Sequence, residues 1–343
     1  MTDLRHVPAL AVCGYSGAGK TTLILALIAR LRARGLSVLV LKHDAHGLTV
    51  DRKGKDSARL FDAGADVLAR DPGQSFLRLH ATAESDLASM LRQWALRYDV
   101  VLVEGHKGTP LPYKIWLRRN ARDRPPAACG AVLLDLGRDV DRTIISASVI
   151  ESWLDRIYRE TPLLAGVLIG GQSRRMGTPK HLLVDAGRTW LVHIVTALEP
   201  VVDGVVLLGA GRVPRSCVAL PHLLDVPGCG GPMAGLRAAM RWHKEARWLF
   251  TACDTPLLTT AAVRWLAGQA GPGIWAVQAR TAAEAPAQPF PGLYDPRAAT
   301  AVETAAGPSY LSQLQHTATP IVPTALRAAW RNINTKDSLR RLG

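Results

Sequence analysis

A-L-A-V-C-G-Y-S-G-A-G-K-T, residues 9–21, is an apolar run that breaks into a glycine-rich turn and then into a helix-forming stretch. It fits G-x-x-x-x-G-K-[ST], with Gly14, Gly19, Lys20 and Thr21 at the defining places. A strand that hands over to a helix through such a loop commits this part of the chain to an α/β layer. Its chemistry is constrained too. The glycines let backbone amides face phosphates, Lys20 reaches the terminal phosphates, and Thr21 can ligate magnesium.

The rest of the chain keeps the same alternation of short apolar runs and amphipathic segments, the mark of parallel α/β layers. In the first half it predicts strands near 8–13, 36–42, 98–103, 114–117 and 130–135, with helices near 20–34, 83–97 and 146–159. In the second half, strands are predicted near 164–169, 203–208, 248–252 and 273–279, with helices near 189–199, 232–243 and 259–268. Gly35 stands where a helix C-terminal glycine belongs. A length of 343 residues is too great for one core. The predicted division is 1–160 and 161–343, joined at R-E-T-P-L-L, where Pro162 stops a helix and a new first strand begins. No short-period repeat relates the halves.

Composition narrows the class. With 48% hydrophobic and 20% charged residues, the chain reads as globular and not disordered. No apolar run approaches the ~20 residues that span a bilayer, and the opening M-T-D-L-R-H-V-P-A-L-A-V-C-G has no secretory pattern. Cys13, Cys129, Cys217, Cys229 and Cys253 never form a CxxC pair, which argues against a disulfide framework or structural zinc and for a cytoplasmic protein. The net charge of +14 is spread over both halves. With 6% aromatics and no alternating basic–aromatic tract, it suits small anionic ligands better than nucleic acid.

A phosphate loop needs a carboxylate at the end of a neighbouring strand. Y-D-V-V-L-V-E-G offers Glu104 as the second magnesium-side candidate, while Asp99, at the strand's start, reads as a solvated turn residue. The guanine motif N-K-x-D is absent; N-T-K-D at 334–337 reads as a helix start capped by Thr335. His43 and His46 could ligate a metal, but no third ligand follows in sequence, and surface loop residues oriented by Asp44 are the simpler reading. K-H-D-A-H-G at 42–47, D-R-K-G-K-D-S at 51–57, V-L-V-E-G-H-K at 101–107 and P-Y-K-I at 112–115 together resemble the molybdopterin-guanine dinucleotide adaptor family, MobB, over most of residues 7–158. The resemblance implies a P-loop NTPase-type, GTP-binding adaptor domain with weak hydrolysis. Gly14, Gly17, Gly19, Lys20, Thr21 and Thr22 would hold its nucleotide.

A second loop, L-I-G-G-Q-S-R-R-M-G-T-P-K from Leu168 to Lys180, lacks G-K-[ST] and is of different design. Gly170 and Gly171 allow close approach to a base and its triphosphate. Arg175 and Lys180 can offset charge that develops at phosphorus and on departing pyrophosphate, whereas Met176 reads as packing and Arg174 as solvated. G-P-M-A-G-L at 231–236, T-A-C-D-T-P at 251–256 and N-I-N-T at 332–335 follow in order. The set resembles the molybdenum cofactor guanylyltransferases, MobA, within a class that includes sugar-phosphate nucleotidyltransferases. That implies a Rossmann-like nucleotidyltransferase domain, with Asp254 as magnesium ligand and Lys180, Arg175 and Asp254 as catalytic residues. Leu168, Ile169, Gly170, Gly171, Lys180, Asp225 and Asp254 would then contact GTP, and Asn332 and Asn334 would lie on the pterin side. The chain departs from the family pattern at Pro179, where an aspartate usually precedes the lysine, and at Gly209, where an asparagine is common.

Guanine presents two neighbouring donors that one carboxylate can accept, and Asp225 stands where the family has its guanine-side aspartate. The resemblance therefore implies transfer of GMP from GTP to molybdopterin or its molybdenum-loaded form, with Mg²⁺. Molybdoenzyme apo-proteins or their chaperones would be the onward partners, with no nucleic acid and no membrane. A cytidylyltransferase, a sugar-1-phosphate nucleotidyltransferase and a non-enzymatic GTP-binding scaffold are the alternatives.

Overall fold

A computed structural model of the chain describes residues 4–42, 55–80, 86–109, 111–170 and 178–333. Contacts group the chain into two units, residues 1–33 with 37–148 and residues 34–36 with 149–343. Each is an α/β layer with its own sheet. Among the described residues no helix is long and apolar enough to cross a membrane.

The first unit runs Ala9–Gly14 (β1), Lys20–Ala33 (α1), Val38–Lys42 (β2), Asp56–Asp62 (α2), the hairpin Val67–Arg70 (β3) and Ser75–Arg78 (β4), and Leu87–Ala95 (α3). It continues through Val100–Glu104 (β5), Lys114–Leu117 (β6) and Leu134–Leu136 (β7) into the start of Arg142–Glu160 (α4). Five strands form a wholly parallel sheet in the order β2-β5-β1-β6-β7, a P-loop NTPase-type arrangement. Leu10 to Cys13 and Val100 to Val103 are completely buried, as unbroken apolar strands covered on both faces should be. Register pairs Val12 with Glu104 and Gly14 with Leu117. The glycine loop and Glu104 therefore emerge from the same edge.

Boundaries move where local polar groups dictate. The helix predicted near 83–97 spans Leu87–Ala95 because the Asp86 side chain accepts the Ser89 N–H. α4 starts at Arg142, earlier than predicted, because Asp141 Oδ1 accepts the Ile144 N–H at 2.9 Å. The strand predicted near 130–135 begins only at Leu134, after a 3₁₀ turn over Ala127–Cys129 and Gly130 at φ 74°. Asp99 is not a solvated turn residue. It is buried, accepting the Ser37 N–H at 2.8 Å and Oγ–H at 2.7 Å, because the entry points of neighbouring β2 and β5 meet there and their donors need an acceptor.

The second unit runs Leu163–Leu168 (β8), Val184–Asp185 (β9), Arg188–Thr189 (β10), Trp190–Leu198 (α5), Gly204–Leu208 (β11), His222–Leu223 (β12) and Pro232–Trp242 (α6). Arg247–Ala252 (β13), Thr260–Ala267 (α7), Ala276–Gln278 (β14), Gly292–Tyr294 (β15), Ala299–Thr304 (α8) and Thr317–Ala318 (β16) follow. Its seven-stranded sheet has the order β12-β11-β8-β13-β15-β14-β16. β12, β11, β8 and β13 are mutually parallel, and only β15 runs against its neighbours. This is a Rossmann-like layer. The period of two along β13 sorts its side chains: Leu249 enters the cluster with α5 and α7, while Trp248 and Phe250 enter the cluster with α6 and α8. Gly166 leaves room for that second layer, since a Cβ there would meet Phe250 Cδ1 at 2.6 Å. The strand predicted near 273–279 is shortened to Ala276–Gln278 because Gly273 at φ 83° still belongs to the preceding turn. β15, only three residues long, was not predicted.

Candidate functional site

In the first unit the loop after β1 is shaped by backbone geometry. Gly14, Gly17 and Gly19 have φ of 150°, 73° and 89°, values that favour residues without a Cβ. At Gly14 space is also limiting, since a Cβ would lie 2.7 Å from the Leu117 carbonyl oxygen. Lys20 turns back over the loop, its Nζ donating to the Tyr15 carbonyl at 3.1 Å. Thr21 Oγ1 donates to Glu104 Oε1 at 2.9 Å, so the two magnesium-side candidates, 83 residues apart in sequence, stand side by side. Thr22 lines a cavity of about 340 Å³ with Ala18, Gly19, Leu23, Arg138, Arg142 and Thr143.

Two arginines that the motif reading passed over secure this loop. Arg138 Nη2 donates to the Gly17 carbonyl at 2.9 Å and Arg142 Nη1 to the Ala18 carbonyl at 2.7 Å. Arg142 also donates from Nε to Gly137 and from Nη2 to Arg118, so one guanidinium ties the phosphate loop to the ends of β6 and β7. Burial lowers its pKa from the ordinary value. The available signal was the basic pair in L-G-R-D-V-D-R, directly after the last strand. Beneath the loop, Cys13 donates to the Gly105 carbonyl at 2.9 Å, and burial pushes its thiol up to about 12, which keeps it uncharged. Lys114, of P-Y-K-I, is fully buried and donates to the Thr109 and Cys129 carbonyls, holding the segment after Glu104.

In the second unit the described candidate residues gather beyond the carboxyl ends of β8, β11 and β13. The turn after β13 is closed by Thr255 Oγ1 donating to the Ala252 carbonyl at 2.9 Å, and the Cys253 N–H donates to the Leu168 carbonyl at 3.2 Å. Asp254 is thereby held beside the start of the second loop. Lys180 Nζ lies 3.3 Å from Asp254 Oδ2, both side chains partly buried. Pro179 caps the 3₁₀ turn Lys180–Leu182, and the salt bridge to Asp254 orients a lysine that lacks the family's preceding aspartate. The next residue, His181, was missed by motif reading because a lone histidine carries no signal. It is buried, its Nε2 donating to the Arg212 carbonyl at 2.8 Å, and burial lowers its pKa. Burial, then the charge of Asp254, pushes the Cys253 thiol up to about 11.

On the other side of Asp254, the loops after β8 and β11 touch. The Ile169 N–H donates to the Leu208 carbonyl at 2.9 Å. A Cβ at Gly209, whose φ is 104°, would lie 2.8 Å from Gly170 N, 2.9 Å from Gly170 Cα and 3.7 Å from Asp225 Oδ1. Gly170, Gly209 and Asp225 therefore form one cradle, and the departure from asparagine at 209 has a steric reason. Gly235, in G-P-M-A-G-L, does the same for packing: a Cβ would meet Leu168 Cδ2 at 2.8 Å, so α6 lies directly against β8. The C-terminal motif arrives as well. The Ile333 N–H donates to the Asp254 carbonyl at 2.8 Å, and its side chain is buried with Leu183, Trp190 and Leu257, which leaves Asn332 exposed next door. Gly171, Arg175 and Asn334, with Arg174, Met176, His43, Asp44, His46 and the N-T-K-D stretch, lie outside the described residues. Among the described residues no group of three or more His, Cys, Asp or Glu is arranged to hold a metal. The donor sets present are a threonine hydroxyl with a carboxylate, and a single carboxylate. These hard oxygens suit magnesium, which is held by one or two carboxylates plus substrate phosphates.

Comparison with known proteins assigns both halves. Residues 9–134 match the family model of molybdopterin guanine dinucleotide synthesis protein B, and residues 165–327 that of the MobA-like NTP transferase domain. A molybdopterin-guanine dinucleotide biosynthesis adapter protein of Haemophilus influenzae is 36% identical over 45% of this chain and 93% of its own length. Its Escherichia coli counterpart is 32% identical over 45% and 94%. A molybdenum cofactor guanylyltransferase of Rhodobacter capsulatus is 40% identical over 31% of this chain and 59% of its own length, so the match spans little more than half of that relative.

Two outcomes follow from the second-unit geometry. Gly209→Asn is expected to weaken nucleoside triphosphate binding tenfold or more, because a left-handed backbone and a close Gly170 leave no place for a Cβ. Calorimetric titration in a Lys20→Ala background reads it, and unchanged affinity would remove Gly209 from the cradle. The His181 pKa is lower in the folded state than in the unfolded one, so its stabilising contribution is full above the unfolded value, ~6.5, and is lost as pH falls below it. His181→Gln is expected to flatten the loss of stability between neutral pH and pH ~5, by at most about 1.4 kcal/mol per pH unit for one proton. Identical pH profiles in chemical denaturation would contradict this.

Proposed function

Because this chain belongs in its first half to the molybdopterin-guanine dinucleotide biosynthesis adapter family and in its second to the MobA-like NTP transferases, we propose that it is a two-domain guanylyltransferase of molybdenum cofactor synthesis. Residues 161–343 transfer GMP from GTP to the terminal phosphate of molybdopterin or its molybdenum-loaded form and release pyrophosphate. Residues 1–160 bind a second GTP, hydrolyse it weakly, and serve delivery of the finished dinucleotide to molybdoenzyme apo-proteins or their chaperones. The observation that carries the transferase reading is the Lys180–Asp254 pair at 3.3 Å beside the Gly170–Gly209–Asp225 cradle.

The acceptor is a phosphate monoester with a second pKa of ~6, largely ionised at neutral pH, and needs no strong base. What the protein must supply is alignment and charge. The cradle holds the nucleotide with its backbone in close approach, and Asp225 accepts the donors on the guanine edge. Lys180 offsets charge on the departing pyrophosphate, with Arg175 assisting from the loop. Asp254 would hold magnesium in this unit, and Thr21 with Glu104 would hold it in the other. Magnesium, when bound, supplies charge neutralisation at the phosphates and helps align attacking and leaving oxygens. Asn332, carried beside Asp254 by the Ile333 hydrogen bond, lies on the acceptor side.

The test is pyrophosphate release with each nucleoside triphosphate, with and without molybdopterin. Asp254→Asn and Lys180→Ala are each expected to lower turnover at least a hundredfold in a folded protein, with GTP preferred over CTP and the preference eroded by Asp225→Ala. Near-normal turnover by either of the first two variants at saturating magnesium would remove that residue from the chemistry. Equal use of GTP and CTP by the unaltered protein would sink the guanine reading.

A further inference from the structure

The turn that follows Glu104 in the first unit is held more tightly than a link between two strands requires. Gly105 and His106 have φ of 97° and 54°, and a histidine stays at a positive φ only where its surroundings fix it there. The Gly105 N–H donates to the Val12 carbonyl at 3.0 Å, and the Gly105 carbonyl accepts from the Cys13 thiol. The turn is thereby moored to the last residues before the first phosphate loop. The Thr109 N–H donates to the His106 carbonyl at 3.1 Å, and buried Lys114 donates to that carbonyl at 3.4 Å and to the carbonyl of Thr109.

Lys107 is the exposed residue that this turn carries. Its Nζ stands 4.7 Å from the centroid of the Tyr15 ring, within cation–π reach. Tyr15 follows Gly14 in the phosphate loop, and its carbonyl accepts from Lys20 at 3.1 Å. The ring itself is held by fully buried Trp116, packed edge-on with centroids 5.5 Å apart. Two lysines from the loops of neighbouring strands therefore meet at one residue of the phosphate loop. A third cation, Arg119, lies 5.0 Å from the same ring, but its Nε and Nη2 donate to the Asp123 carboxylate at 2.8 and 3.0 Å. Its charge is already matched. Among the described residues no carboxylate pairs with Lys107, which keeps its full charge for an anion at the loop.

In hydrolysis of a nucleoside triphosphate, a water oxygen bonds to the terminal phosphorus as the bond from that phosphorus to the bridging oxygen breaks. The bond's electron pair leaves with the diphosphate, and the water's proton passes to the released phosphate. Negative charge spreads over the terminal phosphoryl oxygens on the way, where a fixed cation stabilises it. We infer that Lys107 is a second cation of the first phosphate site, meeting the terminal phosphate of GTP and the charge that develops on it. The assignment rests on the reading of residues 1–160 as a GTP-binding, weakly hydrolysing unit. It adds a catalytic residue that G-x-x-x-x-G-K-[ST] does not contain. GDP lacks the group that Lys107 meets, so its affinity is independent of this side chain.

The experiment uses the full chain, with the first site defined as the GTP hydrolysis and nucleotide binding that Lys20→Ala removes. Lys107→Ala, Lys107→Arg and Arg119→Ala are compared with the unaltered protein in steady-state phosphate release and in calorimetric titration with GDP. Lys107→Ala is expected to lower kcat for hydrolysis at least about tenfold, while Kd for GDP stays within about twofold and shows the site intact. Lys107→Arg restores a cation and is expected to recover most of the rate, and Arg119→Ala to leave it within about twofold. Unchanged kcat in Lys107→Ala would overturn the assignment alone. An equal loss of GDP affinity would overturn it as well, since the lysine would then serve the shape of the loop. Phosphate release and binding that do not depend on Lys20 would overturn the reading of the first unit, and the assignment with it.

Discussion

Parallel strands that end at one edge are the constraint on which both units depend. A strand covered by helices on both faces must be apolar along its length, so polar chemistry is confined to the loops beyond its carboxyl end. Val100 to Val103 are entirely buried, and the next residue is Glu104, which meets Thr21 from the neighbouring strand's loop. In the second unit the buried run of β13 leads to Asp254, and the register Ala252 to Leu168 brings it beside the second loop. Residues distant in sequence become neighbours because the strands that carry them are adjacent, which needs no long-range polar attraction to organise it.

Close backbone approach is the second requirement, and glycine meets it at particular points. Gly14 leaves the Leu117 carbonyl its place, Gly209 lets the loop after β11 touch Gly170, and Gly235 brings α6 onto β8. The same steric logic explains a departure from the family pattern. An asparagine at 209 would need a side chain where Gly170 backbone already lies, so two glycines meet here with Asp225 beside them. Lys180 likewise has Pro179 before it where an aspartate is usual, and takes its orientation from the salt bridge to Asp254.

Much of this was legible in the sequence. The first loop and the strands that precede both loops stand where the sequence pattern puts them, and the candidates Thr21 and Glu104, and Lys180 and Asp254, lie next to each other. What escaped was set by tertiary contact. Asp99 sits in a context that reads as a turn, and only the meeting of β2 with β5 makes it a buried acceptor for Ser37. Arg142 acts through carbonyls of residues 18, 118 and 137, whose convergence no local pattern announces. β15 is three residues long and gives periodicity nothing to work on, yet its reversal is what returns β14 to the direction of β13.

The central claim is that the two phosphate loops serve separate sites, one for an adaptor's GTP and one for transfer. Each loop has its own cation and its own carboxylate, Lys20 with Glu104 and Lys180 with Asp254. The most direct measurement is guanylyl transfer by Lys20→Ala, with molybdopterin in excess, alongside GTP hydrolysis by the same protein. The account predicts transfer within about twofold of the unaltered chain while hydrolysis is lost. Collapse of transfer together with hydrolysis would show that the two loops form one composite site.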